Sequence, residues 1–438
     1  MFDAETVIRC NITKYILLRR IIRLHIINQM DPTEGHFDFA VIGAGLSGLT
    51  TAVTISHENT SASIIILERS SRIGGRIFGT GDMDKSKESS ISKEDVGIDL
   101  GGTWLWPTSM PFTMELIRRY EIPLVPQAGS DGEQKRVDGG MTLLVQKLMQ
   151  DAGLSKRIRP SQETEGKDKH PDRYQRIKLI LNSVVSKVVE SSKDGCVHLT
   201  VSAGNDNPLC STRFEESLLR ARHVVIAVPP AKIVEEISFE GEEIRYINES
   251  LKNDMRRQPI WMASVGKLSL SYDEKFWDPS DIMMGMTPVN LNDGKINPIF
   301  VGAFQIYDAG LDANGNHNIV AFVTCGKGND NPYNAEEMAQ IVTGQLNNIS
   351  VKRTRPSSFS QYKYVNLKCW KTDKHINVLS DAEPYPIYPQ PITGINDDFV
   401  EKRRVWFGGS EASQHWTGMI EGAVMNGTQI GKKIANIP

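Results

Sequence analysis

The sequence predicts an α/β protein: a parallel-sheet domain assembled from separated parts of the chain, with a second α+β domain. Three observations predict it. A strand, a glycine-rich turn, a helix and a second strand follow one another between Phe37 and Glu68. A second glycine-rich helix entry stands near the C-terminus, with Gly418, Met419 and Ile420 opening a helix that carries Glu421 to Gly431. Between them, Val265 to Trp277 alternates apolar and polar residues, the pattern of a strand in a different sheet.

The first element is the most informative. Phe37 to Ile42 is a short apolar run rich in β-formers, and Gly43, Gly45 and Gly48 then form G-x-G-x-x-G. Leu46 to Ser56 suits a helix, Ser63 to Leu67 a second strand, and Glu68 ends it. This is the dinucleotide-binding βαβ unit in the order its mechanism needs. Gly43 permits the tight turn, Gly45 lets a pyrophosphate reach the backbone, and Gly48 lets helix pack on strand. Leu46 and Ser47 open the helix, whose N–H groups face the phosphates. Glu68 is placed to accept hydrogen bonds from a ribose diol. The motif by itself does not choose between NAD and FAD.

Length and composition set the bounds. The chain has 438 residues, enough for two or three domains, with 39% hydrophobic and 24% charged residues. A net charge of −3 gives no reason to expect nucleic acid or an anionic membrane as partner. No stretch approaches the roughly 20 uncharged apolar residues of a transmembrane span. Cys10, Cys196, Cys210, Cys325 and Cys369 are scattered and form no CxxC pair. That argues against a disulfide framework or structural zinc and fits a reducing compartment. His170, His198, His223, His375 and His415 show no spacing for a metal or a nucleophile triad. From Thr6 to Met30 there is no acidic residue, while Arg9, Lys14, Arg19, Arg20 and Arg23 interrupt Ile and Leu. A presequence for mitochondria and a plain extension ahead of Met30 both remain open. The expected location is intracellular, cytoplasmic first, with mitochondrial and peroxisomal sites also open.

Further segments carry a family resemblance. Arg69-Ser-Ser-Arg-Ile-Gly-Gly-Arg-Ile77 follows the second strand, and Asp99-Leu-Gly-Gly-Thr-Trp104 comes next. At the far end stands Val405-Trp-Phe-Gly-Gly-Ser-Glu-Ala-Ser-Gln-His-Trp-Thr-Gly-Met-Ile-Glu-Gly-Ala-Val-Met-Asn-Gly427. Together they resemble the flavin-containing amine oxidase family, which includes monoamine and polyamine oxidases, from about Phe37 to Ile434. The resemblance selects FAD and a Rossmann-like FAD-binding domain. Gly75 and Arg76 offer backbone N–H groups and a guanidinium for the pyrophosphate. Gly101, Gly102, Thr103 and Trp104 bring backbone close to a flat ring. Gly409, Ser410 and Glu411 hold the ribityl chain, and Gly418, Met419 and Ile420 open a helix carrying Glu421 to Gly431. Asn182 to Val188 resembles the adenine-side strand, with Val185 at the contact position. Arg222 to Pro230 resembles the strand leading out of the FAD domain, with Pro229 in its turn. Arg69 and Trp370 complete the implied cofactor set.

Val265-Gly-Lys-Leu-Ser-Leu-Ser-Tyr-Asp-Glu-Lys-Phe-Trp277 is similar to the family strand whose lysine reaches toward flavin N5 through water, which makes Lys267 the implied catalytic residue. The strand alone also allows an exposed lysine. Buried, its pKa should fall from about 10.4. Trp104, Trp106, Trp370, Trp406 and Trp416 are candidates to line the reaction region, with Trp106, Trp416 and Tyr385 assigned to the substrate pocket; core packing explains any of the tryptophans equally. The implied reaction moves an amine's α-hydride to FAD. The imine hydrolyses, and O₂ takes the electrons to give hydrogen peroxide.

Three departures from the family matter. Met419 stands where monoamine oxidases carry an aromatic residue, so the two-tyrosine cage is incomplete, with Tyr385 or Tyr388 left to supply one wall. No cysteine follows Trp370, so the FAD should be non-covalent. Trp104 to Gly139 is too short for a large helical substrate insert, with only Met114 to Tyr120 suiting a helix, which marks a short-form member.

The expected division is an N-terminal extension at 1–35, an FAD domain from 36–104, 138–260 and 398–438, and a substrate domain from 105–137 and 261–397. The latter should hold strands at Ser264–Ser271, Pro298–Gln305 and His317–Thr324 and a helix at Ala335–Leu346. The runs Gly81 to Asp95 and Ser161 to Gln175 read as solvated insertions. Three functions stay open: an oxidase of a small amine, a related FAD oxidase or desaturase acting on polyamines, amino acids or non-amines, and a catalytically silent FAD-binding protein.

Overall fold

The structure is a computed structural model that describes residues 35–83, 97–130, 132–154, 176–204, 216–241, 244–282, 301–325, 334–349, 358–377, 388–396 and 403–437. The basic N-terminal segment, residues 161–175, most of 81–95, and Tyr385 lie outside the described residues.

The larger sheet grows from strand β1 (His36–Ile42). β2 (Ile64–Leu67) pairs with it in parallel, and β9 (Ser217–Ile226) lies parallel on its other edge. β6 (Ile177–Ile180) extends the sheet beyond β2. β9 is long enough to serve two partners on its outer edge. Its first half takes β8 (Cys196–Ala203), antiparallel, and its second half takes β15 (Val405–Phe407), parallel. β7 (Ser183–Ser191) and β10 (Ser238–Glu240) complete it.

Burial explains why the central strands are apolar throughout. Every residue of β2 is buried, as in parallel sheets covered on both faces. From Phe39 onward alternation divides the side chains: Phe39, Val41, Ile64 and Ile66 join one core, while Ala40, Ile42, Ile65 and Leu67 join the other, with Phe37 at the strand's start packed in this second core. Each such side chain stabilises the fold by about 1.5–3 kcal/mol relative to exposure. The helices Leu46–Glu58 and Ile420–Ala435 pack together on the first face. Gly427 makes that approach possible, since a Cβ there would lie 2.6 Å from the Ser47 carbonyl.

The second sheet is antiparallel, in the order β12 (Ala303–Leu311), β13 (His317–Thr324), β11 (Val265–Tyr272), β14 (Tyr364–Cys369). Every residue of β11 is buried. Its apolar face, Leu268 and Leu270, packs with Met338, Ala339, Val342 and Leu346 of the helix Ala335–Ile349. A small sheet of β3 (Trp104–Leu105), β5 (Lys135–Val137) and β4 (Leu124–Pro126) stands beside it.

Several sequence expectations are corrected here. The helix expected at Met114–Tyr120 runs Pro111–Arg119, because Pro111 is preorganised for the first helical turn. The strand expected at Pro298–Gln305 starts at Ala303, after Gly302 at φ +133°. Trp406 does not line the reaction region; it sits in β15 in the sheet core, 4% exposed. One pair of cysteines, Cys325 and Cys369, is bridged, a single link that the reading against a disulfide framework did not foresee. Cys369 of β14 and Val323 of β13, two residues before Cys325, flank Gly266 of β11, where a Cβ would lie 3.1 Å from Cys325 Sγ. Sheet register brings together two cysteines whose separation of 44 residues gives no local signal.

Candidate active site

One cavity of about 630 Å³ runs between the two sheets. At its first end lie Gly43, Gly45, Leu46 and Ser47, beside Glu68 and Arg69. Gly43 adopts φ +101°, and a Cβ on it would lie 2.8 Å from the Ala227 carbonyl. The helix Leu46–Glu58 begins without a side-chain cap, so its first N–H groups remain available at this end. Glu68 is anchored: its carboxylate accepts from Ala44 N–H at 2.7 Å and Ser70 N–H at 2.8 Å. Arg69 pairs with Glu236. Gly48 does not line the cavity. A Cβ there would collide with the Gly43 carbonyl, so its role is the helix–strand contact.

Gly75 and Arg76 continue the wall. Arg76 meets Glu411 at 2.6 Å and donates to Ser410 Oγ at 2.7 Å. Glu411 is 1% exposed, so this pairing is what makes its charge tolerable inside the protein. Gly409 and Ser410 stand beside it, and Asn426 Nδ2 holds the Gly409 carbonyl at 2.8 Å. Val185 and Pro229 close this stretch. The helix Ile420–Ala435 also begins without a side-chain cap, at Met419, and Gly418, Met419 and Ile420 line the cavity. Glu421 turns away, accepting from Phe112 and Thr113 N–H and from Thr113 Oγ1.

The other end is aromatic. Gly101, Gly102, Thr103, Trp104, Trp106 and Trp370 line it, with Lys267. Lys267 is 4% exposed and donates to the Gly101 carbonyl at 2.7 Å and to Thr103 Oγ1 at 2.6 Å. Its Nζ lies 4.6 Å from the Phe322 ring centroid. Burial lowers its pKa to about 7, against an opposing pull from the Asp99 carboxylate. Of the polar positions of β11, Lys267 thus faces the site, while Ser269 and Ser271 are buried beside Asn366 and Asn318. Trp370 Nε1 donates to the Leu100 carbonyl at 2.9 Å, so Lys267 and Trp370 together fix the Leu100–Thr103 turn.

Trp416 is a correction. It is absent from the cavity wall and stacks behind Trp106, ring centroids 6.2 Å apart. It takes φ +53° in the tight turn before Gly418, which directs its ring away. Tyr388 does reach the wall and stacks on Trp261 at 3.8 Å. Sequence reading missed Trp261, Phe304, Gln305, Phe322 and Gln134, all on the same wall. For Phe304, Gln305 and Phe322 the available signal was strand alternation in β12 and β13, which does not say which face meets the site; Trp261 and Gln134 lie outside those strands. It also left Asp99 and Tyr307 without roles, although Asp99 opens the Asp-Leu-Gly-Gly segment.

The residues present fit FAD. Two uncapped helix starts open on one cavity, a carboxylate stands where a ribose is read, and glycine backbone forms the wall between.

Comparison with known proteins agrees. Residues 129–431 match the model of the flavin containing amine oxidoreductases, and residues 41–120 match an NAD(P)-binding Rossmann-like domain. The solved structure of cyclohexylamine oxidase from Brevibacterium oxydans IH-35A superposes with a TM-score of 0.58 at 15% identity, covering 91% of this chain and 98% of that one. Wild-type putrescine oxidase bound to putrescine gives 0.55 at 14%, covering 91% and 99%. An L-amino acid dehydrogenase of Synechocystis sp. is 30% identical over 109 residues, 23% of this chain. The match spans only 20% of that protein's length. Among the described residues no helix is long and apolar enough to cross a membrane. The family match extends over most of the chain and takes in Lys267 and the Gly409–Ile420 part of the cavity wall: the chain belongs to the flavin containing amine oxidoreductase family, as an FAD-type flavoprotein.

Proposed function

We propose that the protein oxidises a small primary or secondary monoamine with O₂ as acceptor, using FAD held without a covalent bond. Residues 36–104, 138–260 and 398–438 then form the FAD-binding domain, and 105–137 and 261–397 the substrate domain. The observation that carries the reading is Lys267, buried at the aromatic end of the FAD-sized cavity. FAD, when bound, supplies the hydride acceptor and passes the electrons to O₂ as hydrogen peroxide; the released imine hydrolyses to an aldehyde plus ammonia or an amine.

The chain's own residues have distinct tasks. Gly43, Gly45, Glu68, Arg76 and Glu411 bind and orient the cofactor. Trp104, Phe304, Phe322 and Trp370 exclude water near Lys267. A free amine with a pKa near 10 is about 0.1% neutral at pH 7. A dry aromatic wall favours that neutral form, whose lone pair assists hydride loss. Lys267 holds a proton beside the region where charge passes to oxygen.

Charge pairing argues for a monoamine. Among the described residues, each carboxylate on the wall is already engaged: Glu68 by backbone N–H groups, Glu236 by Lys232 and Arg69, Asp373 by Lys368, Glu411 by Arg76. A polyamine's second ammonium would find none of them uncommitted. The wall arginines are engaged likewise: Arg69 by Glu236, Arg76 by Glu411, Arg72 by the Ile73 and Ile77 carbonyls. That disfavours an amino-acid carboxylate.

Peroxide release on a panel of mono-, di- and polyamines, amino acids and non-amines tests the reading. Turnover confined to a non-amine would overturn it. Among the described residues the one free cysteine, Cys196, lies in β8 away from the cavity, which supports non-covalent FAD. Denaturant should free all the flavin, and colour retained on the chain would contradict this. The match to an L-amino acid dehydrogenase motivates a second reading with another electron acceptor. Oxygen consumption compared with dye reduction separates the two.

A further inference from the structure

Next to Thr103, a hydrogen-bond partner of Lys267, lies a second, very small cavity of about 20 Å³. Asp99, Thr103, Arg136 and Tyr307 line it, and it reaches Leu311 and Asp312 near the surface. Thr103 belongs to both cavities, and its hydroxyl accepts from Lys267 at 2.6 Å. Tyr307 OH lies 3.4 Å from the same nitrogen. The volume suits one water, which needs two to four polar partners. The lining offers them. Arg136 Nε is buried without a hydrogen-bond partner. Arg136 fits here because Gly310, at φ +74°, has no side chain to collide with its guanidinium. Asp99 is 6% exposed, and one carboxylate oxygen accepts from Met141 N–H at 2.8 Å.

We propose that Asp99 and Lys267 form one acid–base pair, linked through Thr103, Tyr307 and a single water in this compartment, so that Asp99 sets whether Lys267 is an ammonium or an amine. The inference rests on the FAD and amine-oxidase reading for its purpose, but not for its test. Asp99 is a positioning residue that acts through Lys267. The exchange is balanced: the ammonium gives up one proton, the carboxylate gains one, and the net charge stays zero.

The charged surroundings are consistent with it. Asp99 faces Lys267 from β11, Arg136 from β5, and Asp82 from the 80–83 turn. Burial raises the Asp99 pKa and lowers that of Lys267, which draws the two groups toward each other. Lys368, the register neighbour of Lys267 on β14, is paired with Asp373; the neighbour on β13 is Phe322.

The test is NMR on the FAD-loaded full chain, with ¹³C at lysine Cε and aspartate Cγ; Lys267→Met and Asp99→Asn identify the two resonances. In the unsubstituted protein we expect each titration step to register in both resonances, as for interacting sites. In Asp99→Asn the Lys267 midpoint should fall by about one pH unit or more. Independent single-step titrations of the two groups would overturn the pairing, as would an unmoved lysine midpoint in Asp99→Asn. If Asp99→Asn does not fold, the unsubstituted titration decides, with Lys267→Met leaving the aspartate with a single step. None of these readouts needs amine turnover, so a failed amine screen and a failed pairing are told apart.

Discussion

The two ends of the large cavity are built differently. The glycine end lies mostly within Phe37–Glu68, one contiguous βαβ unit whose recognition groups are backbone N–H groups and a single carboxylate. The lysine end draws on Thr103, Lys267, Phe304, Phe322 and Trp370, joined by strand register rather than by proximity in the chain. Lys267 is opposite Phe322 across β11 and β13, and Phe322 is opposite Gln305 across β13 and β12. Backbone recognition demands particular residues at particular spacings, so it leaves a pattern. Recognition by side chains gathered across a sheet leaves only alternation.

The difference can be broken most severely at the glycine end. Gly48→Val drives a side chain into the Gly43 carbonyl, a backbone atom that cannot yield without moving β1. We expect loss of folded, flavin-coloured protein, with destabilisation above about 4 kcal/mol, read by thermal melting and flavin absorbance. At the lysine end the fold should survive and the chemistry should not. Lys267→Met should slow reoxidation of reduced flavin by O₂ by about 10²-fold, a usual size for a proton-holding group. The Lys267 pKa is lowered to about 7, so the ammonium is present below that pH and lost above it. Reoxidation in the unsubstituted enzyme should therefore fall as pH rises through about 7, and Lys267→Met should be flat; stopped-flow across pH 5.5–9 (roughly two units around that midpoint) reads both.

Glu411→Gln is an intermediate case, because it removes one partner of a buried ion pair next to the cavity. The cost should be about 3 kcal/mol, seen in denaturant melts, together with weaker FAD retention. The smallest expected effect lies far from either end. His223 in β9 is 2% exposed, stacked on Phe39, and neither ring nitrogen has a hydrogen-bond partner. Burial lowers its pKa from 6.5 to about 4. A depressed histidine favours folding while neutral, so this contribution is complete above 6.5 and is lost as pH falls toward 4. His223→Leu should remove on the order of 2–3 kcal/mol of acid-dependent destabilisation, visible as a flatter stability profile below pH 6.

Legibility followed the same line. β1, the start of the next helix and Glu68 were readable because glycine spacing and strand periodicity are local, and the Gly418–Ile420 helix entry because its glycine-rich segment resembles the family's. The burial of Lys267 was not derivable from β11 alone, since alternation is the same whether the polar face meets water or a protein cavity. Trp406 and Trp416 show the converse: tryptophans next to motif residues were candidates for the wall, yet a sheet core and a φ-positive turn turned them elsewhere. Trp261, Tyr307 and the Cys325–Cys369 bridge depended on register across distant strands or loops, and no short window of sequence carries that information.

The most direct test joins both ends in one experiment. Purified protein is mixed anaerobically with a small apolar monoamine, and flavin absorbance is followed before and after O₂ is admitted. The account predicts bleaching by the amine and rapid recolouring with one peroxide per cycle, with recolouring alone slowed in Lys267→Met. A flavin that no amine bleaches, or a Lys267→Met protein that recolours at the unsubstituted rate, would contradict it.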